Sequence, residues 1–378
     1  MLYELIQWLE AEYAPPGFGA FDFITTRAAF AAATALFISL LIGHKIIAYL
    51  EKKQIKEVIR DDIGLDTHIG KSHTPTMGGI ILLLATLVPA VLWMDMYNIY
   101  GWLIVFVTAS LGLVGFMDDY IKVVKRDKQG LIARFKLAGQ IFVGIVVGCV
   151  LYFYPDFEAY NTLTTVPFLK NVNINYALLG DALGWVIYIP VVIFIITAMS
   201  NAANLTDGLD GLTSGITAIC AIILAIFTYV SGRVDFSNFL SIIYLPGSGE
   251  LVIFCAALVG ACLGFLWYNS NPAQVFMGDT GSLALGGSLG ALALMIHKEL
   301  LLPFICGVFL FETLSVILQT SYFKYTRRKY GEGHRLFLMD PIHHHFEKKG
   351  WAEQKIVVRF WIISILLGII SLLTLKLR

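Results

Sequence analysis

The sequence has little charge for its length. Only 14% of its 378 residues are Asp, Glu, Lys or Arg, whereas soluble domains carry about 25%. Hydrophobic residues make up 57% of the chain, and the mean hydropathy is +0.74. Because about 20 consecutive apolar residues cross a bilayer as one helix, this composition excludes an ordinary soluble domain and indicates a multi-pass membrane protein.

Paired cysteines, net charge, a signal sequence and internal repeats are also missing. The five cysteines fall inside apolar runs without CxxC spacing, which excludes a disulfide framework and a cysteine zinc site. The formal net charge is +0, so we expect no nucleic-acid partner. The first 20 residues contain glutamates and no basic segment, so we expect no cleaved signal peptide. Without repeats or linkers, we predict one membrane domain over residues 1–378.

Long apolar runs are what the sequence does have. They predict an all-α integral membrane protein of about ten transmembrane helices. The predicted spans are residues 23–43, 77–94, 99–117, 136–154, 182–200, 211–230, 250–268, 280–297, 301–321 and 357–375.

The basic residues predict the orientation of these spans. Three connections, at 44–75, 118–136 and 322–356, contain 20 of the 27 Lys and Arg residues, and the opposite face contains five. Because cytoplasmic loops are enriched in Lys and Arg, these connections are expected in the cytoplasm. Both termini are then expected outside, on the face opposite the cytoplasm.

Five aspartates fall in the connections that we expect in the cytoplasm. Ionised groups beside the hydrocarbon core are costly, so a set on one face indicates a functional site. Adjacent carboxylates are tolerated when a cation lies between them, and Mg²⁺ prefers carboxylate and phosphate oxygens. We therefore predict a site in which two or three aspartates from different loops suit Mg²⁺. The five aspartates are Asp118 and Asp119 in GFMDDYIK, Asp207 and Asp210 in NAANLTDGLDGL, and Asp279 in NPAQVFMGDTGS.

The DGLDG block favours a nucleoside or sugar site over a plain polar turn. Asp207 and Asp210 are three residues apart, which places them on one face if a helix starts there. Asn201 and Asn204 have the same spacing and supply amide donors and acceptors. The alternative is a short polar hairpin between two helices, where Gly and Asp are common.

The GDTGS block lies just before an apolar run. Asp279 in this position is typical of a helix N-cap, and a helix N-terminus can also bind a phosphate. Both interpretations can hold together. Phe276 offers an aromatic face to a base, or it is a packing residue.

The connection at 322–356 is the longest and most basic, and it contains PIHHHFEKKGW. Consecutive histidines on a helix point in different directions, which argues against zinc and favours contact with diphosphate or lipid phosphate. KSHTPTMGG is typical of a helix start. Glu312 and Gln319 lie seven residues apart in the ninth span, so they share a face, which we expect to turn inward.

Together these motifs resemble those of the polyprenyl-phosphate N-acetylhexosamine-1-phosphate transferase superfamily. The resemblance runs from KSHTPTMGG through GFMDDYIK, NAANLTDGLDGL and NPAQVFMGDTGS to PIHHHFEKKGW. The DD, DGLDG and GDTGS blocks are shared across the superfamily. PTMGG and HHHFE point to its muramoyl-pentapeptide branch, the MraY family.

The resemblance implies ten transmembrane helices, a homodimer and a cytoplasmic active site that uses Mg²⁺. The implied reaction joins UDP-N-acetylmuramoyl-pentapeptide to undecaprenyl phosphate and gives lipid I and UMP in peptidoglycan synthesis. In the family pattern Asp279 contacts Mg²⁺, and Asp118 and Asp119 are essential acids.

The remaining family residues are expected to bind the substrates. We add Asp118 as a second metal ligand, His343 as a catalytic residue, and Thr76 and Asn201 as substrate contacts. The nucleotide pocket is expected to contain Lys71, Asn204, Asp207, Asp210, Asn269 and Phe276. The phosphates and nearby groups are expected to contact Lys122, Lys136, His343, His344 and His345.

Other functions and a second mechanism stay open at this stage. A sister transferase would use UDP-N-acetylglucosamine instead. A secondary transporter would place ionisable residues near the bilayer midplane, often with repeat symmetry that is not visible here. The transfer can be a single in-line displacement, or two steps through a covalent adduct on Asp118 or Asp119.

Overall fold

The computed structural model describes residues 1–53, 74–125, 130–158, 160–169, 172–178, 180 and 183–376. Most of these residues are α-helical. The helices are α1 Leu2–Tyr13, α2 Ile24–Lys52, α3 Gly79–Trp93, α4 Ile99–Val123, α5 Ala133–Phe153, α6 Trp185–Thr206, α7 Leu212–Ser231, α8 Val234–Leu240, α9 Glu250–Asn269, α10 Gly278–Met295, α11 Leu302–Ile305, α12 Gly307–Tyr330, α13 Ile342–Lys348 and α14 Glu353–Leu373.

Each of the ten predicted spans overlaps one of these helices or, for the ninth, a bent pair. Among the described residues, seven helices are long and apolar enough to cross a membrane, and there are eight if the bent pair counts as one span. The seven are α2, α4, α5, α6, α7, α9 and α14. The chain is therefore a helical, multi-pass membrane protein, and the count of ten spans stays a prediction.

The ninth span is not the single straight helix predicted over 301–321. The chain bends by 85° between Glu299–Ile305 and Gly307–Tyr330. Gly307 has weak helix propensity, and a Cβ there would lie 2.7 Å from Leu367 Cδ1, so α14 packs closely at the break. Beyond the bend α12 continues to Tyr330, where its last turn carries basic residues that suit a helix C-terminus.

Short elements were not predicted from the apolar runs. Helices α1, α8 and α13 are too short or too polar to stand out as membrane spans. A two-stranded antiparallel hairpin pairs β1 Leu163–Thr165 with β2 Asn173–Asn175. The all-α prediction therefore holds except for this hairpin.

Helix α10 lies at the centre of the bundle, packed against α4 and α6, and every residue from 280 to 295 is buried. Small residues let its neighbours approach closely. A Cβ on Gly115 of α4 would lie 2.1 Å from the Asp279 carbonyl oxygen. A Cβ on Gly286 would lie 2.3 Å from the Met199 carbonyl oxygen of α6. These contacts bring the beginning of α10 against the end of α4.

Candidate functional site

Three carboxylates meet where α4 ends and α10 begins. Asp118 and Asp119 lie near the end of α4, and Asp279 lies in the first turn of α10. One oxygen from each lies within 4.8 Å of the other two. Within the part of the chain that the structure describes, these three residues form the only His, Cys, Asp or Glu group able to hold a metal ion. The structure therefore brings together the two predicted metal ligands, Asp279 and Asp118.

Asp279 is surrounded by donors from three other helices. Lys136 Nζ of α5 lies 2.8 Å from Asp279 Oδ2, and Lys122 Nζ of α4 lies 3.0 Å from the same oxygen. Asn204 Nδ2 of α6 donates to Asp279 Oδ1 at 2.6 Å. The three predicted substrate residues therefore meet at the Asp279 carboxylate. The site contains both acidic side chains and positively charged ammonium groups.

Asp118 holds the loop that leads into α5. Its Oδ1 accepts a hydrogen bond from the Leu131 backbone N–H at 2.6 Å, and its Oδ2 lies 2.6 Å from Lys122 Nζ. Lys136 Nζ lies 3.9 Å from the same Oδ2. Gly130 has a φ of +65°, and a Cβ there would lie 2.6 Å from Asp118 Oδ1. Asp118 thus positions the chain that carries Lys136.

Asp119 caps α10 from a neighbouring helix. Its oxygens accept hydrogen bonds from the backbone N–H groups of Asp279 at 3.1 Å and Thr280 at 2.9 Å, and from Thr280 Oγ1 at 2.6 Å. The expectation that Asp279 caps its own helix is wrong, since the N-cap residue is Met277. The first N–H groups of a helix need partners, and Asp119 satisfies two of them. The Asp279 side chain is therefore free to join the cluster.

The PTMGG segment pairs with the chain that enters α10. Phe276 N–H donates to the Pro75 carbonyl at 2.9 Å, and Gly78 N–H donates to the Phe276 carbonyl at 2.8 Å. The pairing places Thr76, which is buried, beside the predicted Phe276. The predicted helix start is confirmed, since α3 begins at Gly79. Lys71 lies outside the described residues, so its substrate contact stays a prediction.

The DGLDG block is a turn, so the prediction that Asp207 and Asp210 share a helical face is wrong. Helix α6 ends at Thr206 and α7 begins at Leu212, and Gly211 between them has a φ of +79°. Asp210 Oδ2 accepts hydrogen bonds from Asn271 Nδ2 at 3.0 Å and from Ala273 N–H at 3.2 Å. Asp210 therefore ties this turn to the segment that leads to Asp279.

Two of the predicted amide side chains brace helices. Asn269 is buried; its Oδ1 accepts from Gly211 N–H at 3.0 Å, and its Nδ2 donates to the Val275 carbonyl at 2.9 Å. Asn201 Nδ2 donates to Gln140 Oε1 of α5 at 3.1 Å, so it faces a different neighbour from Asn204. Their contacts with substrate stay predictions.

The three histidines have three different partners. His343 Nδ1 lies 3.0 Å from Glu312 Oε2, and His344 Nδ1 lies 2.6 Å from Glu347 Oε2. His345 Nδ1 accepts from the Leu338 N–H at 3.1 Å. Burial, and then the positive charge of Lys349, lowers the pKa of His345 below its usual value. The histidines do not converge on one point, and their phosphate contacts stay predictions.

Sequence reasoning missed three groups that complete the site. Thr280 donates to Asp119, and Ser282 Oγ accepts from Asn204 Nδ2 at 2.9 Å. Both lie in the GDTGS block, and Ser282 is one helical turn after Gly278, so the block could have indicated them. The Leu131 N–H is a backbone donor from a loop, for which no side-chain pattern gives a signal.

The charge balance indicates what the cluster can bind. Three carboxylates lie beside two lysines, so the cluster has one more anionic group than cationic groups. The Lys122 side chain is 37% exposed, so the cluster opens to solvent on one side. Hard oxygen donors beside mobile ammonium groups suit a divalent cation together with a phosphate.

Known proteins resemble this chain over its whole length. A family model described as glycosyl transferase family 4 matches residues 101–297, which include all three clustered aspartates. Phospho-N-acetylmuramoyl-pentapeptide-transferase of Salinibacter ruber is 54% identical over 385 residues, and that of Chloroherpeton thalassium is 52% identical over 378. The Flavobacterium psychrophilum protein of the same name is 50% identical over 410 residues, and each alignment covers 100% of both chains. The chain belongs to the phospho-N-acetylmuramoyl-pentapeptide-transferase family, within glycosyl transferase family 4.

Proposed function

We propose that this enzyme transfers phospho-N-acetylmuramoyl-pentapeptide from its UDP-linked form to undecaprenyl phosphate, giving lipid I and UMP in peptidoglycan synthesis. The observation that carries the proposal is the cluster of Asp118, Asp119 and Asp279 beside Lys122 and Lys136. A reaction between two phosphate groups needs charge neutralisation and positioning more than it needs a strong base. The full-length relatives named for this transferase support the choice of sugar.

The donor set fits Mg²⁺. Mg²⁺ takes carboxylate oxygens and keeps several waters, which substrate phosphates can replace. Asp279 and Asp118 would hold it, because each has one oxygen paired with a lysine side chain, which can move aside, whereas both oxygens of Asp119 accept hydrogen bonds at the start of α10. When bound there, the ion would neutralise charge on the diphosphate and on the departing UMP.

Lys122 and Lys136 would hold the phosphate oxygens. Their ammonium groups lie 3.0 and 2.8 Å from Asp279 Oδ2, so a bound diphosphate would meet both cations beside the acidic cluster. Charge that develops on the transferring group would be stabilised by donors that are already in place. His344 and His345, on the short helix α13, would contribute further contacts near the phosphates.

The chemical step we propose is a single in-line displacement. An oxygen of the lipid phosphate attacks the β-phosphorus of the UDP-sugar, and UMP leaves. Asp118 would accept a residual proton from the lipid phosphate. Asp119 as a covalent nucleophile would have to break the three hydrogen bonds at the start of α10. A phospho-sugar adduct trapped on Asp118 or Asp119 would overturn the one-step route.

The nucleotide would bind between the PTMGG segment and the DGLDG turn. Phe276 and Thr76 lie side by side where PTMGG pairs with the chain that enters α10. Asn204 lies against Asp279, three residues before Asp207 at the end of α6. In this proposal Asp210 and Asn269 support the wall of the pocket, because their hydrogen bonds join the DGLDG turn to the 271–275 segment. Asn201 and Lys71 complete the proposed substrate set.

For the membrane arrangement we propose ten spans with both termini in the periplasm, in one domain that forms a homodimer in the bacterial inner membrane. The charge bias supports this arrangement, since 20 Lys and Arg residues fall in odd-numbered connections. Labelling of single cysteines from each side of inverted and right-side-out vesicles would test it. A cysteine at position 235 that reacts only from the cytoplasmic side would contradict it.

The proposed activity is tested by following UMP release from purified protein in detergent. Wild type and an Asp279→Asn variant would each receive UDP-N-acetylmuramoyl-pentapeptide, undecaprenyl phosphate and Mg²⁺. We expect Mg²⁺-dependent UMP from wild type and none from the variant. Asp235→Asn is a matched control, because Asp235 is an exposed aspartate that pairs with Arg233, 2.9 Å away, outside the acidic cluster.

The same assay separates the alternatives. UMP released only from UDP-N-acetylglucosamine would keep the superfamily and change the sugar. If folded wild type releases no UMP from either nucleotide, the transferase proposal fails and transport becomes the function to test.

A further inference from the structure

Helix α12 carries a buried polar stripe that the proposed reaction does not use. Glu312, Gln319 and Thr326 are spaced seven residues apart and are 0%, 5% and 1% exposed. Residues at this spacing share one helix face. Neighbouring side chains on other faces, such as Phe311 and Ile317, are 52% and 53% exposed. The stripe therefore faces inward, as the sequence predicted for Glu312 and Gln319.

The stripe holds the basic connection that follows α12. Thr326 Oγ1 accepts a hydrogen bond from His334 N–H at 2.9 Å, and Gln319 Oε1 accepts from Leu336 N–H, also at 2.9 Å. Glu312 Oε2 lies 3.0 Å from His343 Nδ1. The connection thus runs back along α12, and each successive partner lies two turns further from the helix end. Thr326 and Gln319 therefore bind backbone N–H groups of the connection, whereas Glu312 contacts a side chain, the His343 ring.

The contact with Glu312 fixes the orientation of the His343 ring. Both side chains have 0% exposure. A carboxylate accepts a hydrogen bond from the Nδ1–H tautomer of an imidazole, and the 3.0 Å distance fits that contact. A carboxylate in this position fixes the tautomer and the direction of an imidazole. The other ring nitrogen, Nε2, then points away from Glu312.

His343 Nε2 faces Gly208 in the DGLDG turn. A Cβ built on Gly208 would lie only 2.2 Å from Nε2, so the ring fills the space of a side chain at position 208. Among the described residues, Nε2 has no hydrogen-bond partner and it is buried. The ring therefore supports the turn from its inner side, next to Asp207 and between α6 and α7.

We propose that Glu312 and His343 are positioning residues that set the place of the 207–211 turn, so that Asp207 meets the nucleotide-sugar substrate. This inference rests on the proposed function. It replaces the catalytic role that the sequence suggested for His343, because a ring with no exposed surface packs against the turn rather than against substrate. Glu312 acts through His343. A glycine is required at position 208 because the His343 ring occupies the space that a larger side chain would fill.

The first test compares Glu312→Ala, Glu312→Gln and His343→Ala. A small displacement of a binding group can cost about 10²-fold in rate, so we expect Glu312→Ala to lower kcat/KM for the UDP-sugar by up to that factor. The loss should appear as a raised KM for the UDP-sugar, with KM for undecaprenyl phosphate little changed. Gln keeps an acceptor for the Nδ1 proton, so Glu312→Gln should recover most of the loss. Ser315→Ala is the matched control, since this buried hydroxyl donates to the Glu312 backbone carbonyl in its own helix and not to the His343 ring.

Gly208→Ala gives a second and more specific test. In wild type the new methyl group collides with the His343 ring, so KM for the UDP-sugar should rise as it does in Glu312→Ala. In a His343→Ala background the ring is gone, and the same substitution should add little. Likewise, a double variant with Glu312→Ala and His343→Ala should lose little more kcat/KM than either single variant, because both substitutions break the same Glu312–His343 contact.

Several results would overturn the inference. One is folded Glu312→Ala protein with wild-type KM for both substrates. Others are losses for Glu312→Ala and His343→Ala that multiply, or an equal effect of Gly208→Ala with and without the ring. Thermal unfolding of the same variants measures the coupling without any turnover. An inactive wild type would therefore reject the proposed function, while missing thermal coupling would reject the inference.

Discussion

The two ends of α4 each lie near buried charges, and the charges are balanced at one end only. Near its beginning, Arg27 Nη1 and Nη2 lie 2.9 and 2.8 Å from the two oxygens of Glu250, and Asp95 N–H donates to the same carboxylate at 2.8 Å. Near its end, Asp118, Asp119 and Asp279 share Lys122 and Lys136. The first group pairs one guanidinium with one carboxylate, whereas the second has three carboxylates for two ammonium groups. The balance of charges therefore distinguishes a structural ion pair from a site that can bind a cation.

The largest expected effect is the loss of activity at the unbalanced end. Metal-assisted charge stabilisation supplies several kcal/mol, so we expect Asp279→Asn to lower kcat by about 10³-fold or more. Stability should fall less than it does in Glu250→Gln below, because Lys122 is 37% exposed and both lysines keep Asp118 within 3.9 Å. UMP release and thermal unfolding of the same preparation measure the two quantities. A variant that loses stability and activity together would break the contrast between the ends of α4.

The balanced end should respond in the opposite way. Glu250→Gln leaves the Arg27 charge buried without its partner, which costs about 3–5 kcal/mol for a buried pair. The protein that remains folded should keep its kcat, because Arg27 and Glu250 lie at the other end of α4 from the acidic cluster. Unfolding midpoints in detergent provide the measurement. Asp235→Asn removes an exposed ion-pair partner instead and should leave the midpoint unchanged.

The apolar runs predicted the helices well, since ten long runs each match helical structure. What they could not predict depends on packing between distant segments. At the break, Leu367 of α14 packs closely against Gly307, and nothing in the local apolar pattern records that contact. The β hairpin and α13 are too short to give a periodic signal.

The acidic residues of the site were predicted, but the different contact that each of them makes was not. Asp118, Asp119 and Asp279 are brought together as expected, but Asp119 caps α10 and Asp118 holds the loop before α5. Asp210 and Asn269 hold the turn. A motif gives the residue types at a site, while the backbone partner of each carboxylate depends on which helix ends meet.

Two glycines of α4 sharpen the comparison between its ends. A Cβ on Gly115 would lie 2.1 Å from the Asp279 carbonyl, so Gly115→Ala must push α10 away. We expect it to destabilise the protein by about 1–3 kcal/mol and to lower activity, because Asp279 moves. A Cβ on Gly101 would meet nothing closer than Met94 Cε at 3.5 Å, which is an ordinary contact.

Gly101→Ala is therefore the matched control within the same helix. Alanine is favoured over glycine inside helices, so this variant should be neutral or more stable by up to about 1 kcal/mol. Unfolding midpoints and UMP release of the pair measure both effects. If both variants behaved alike, close packing of α4 on α10 could not be what fixes Asp279.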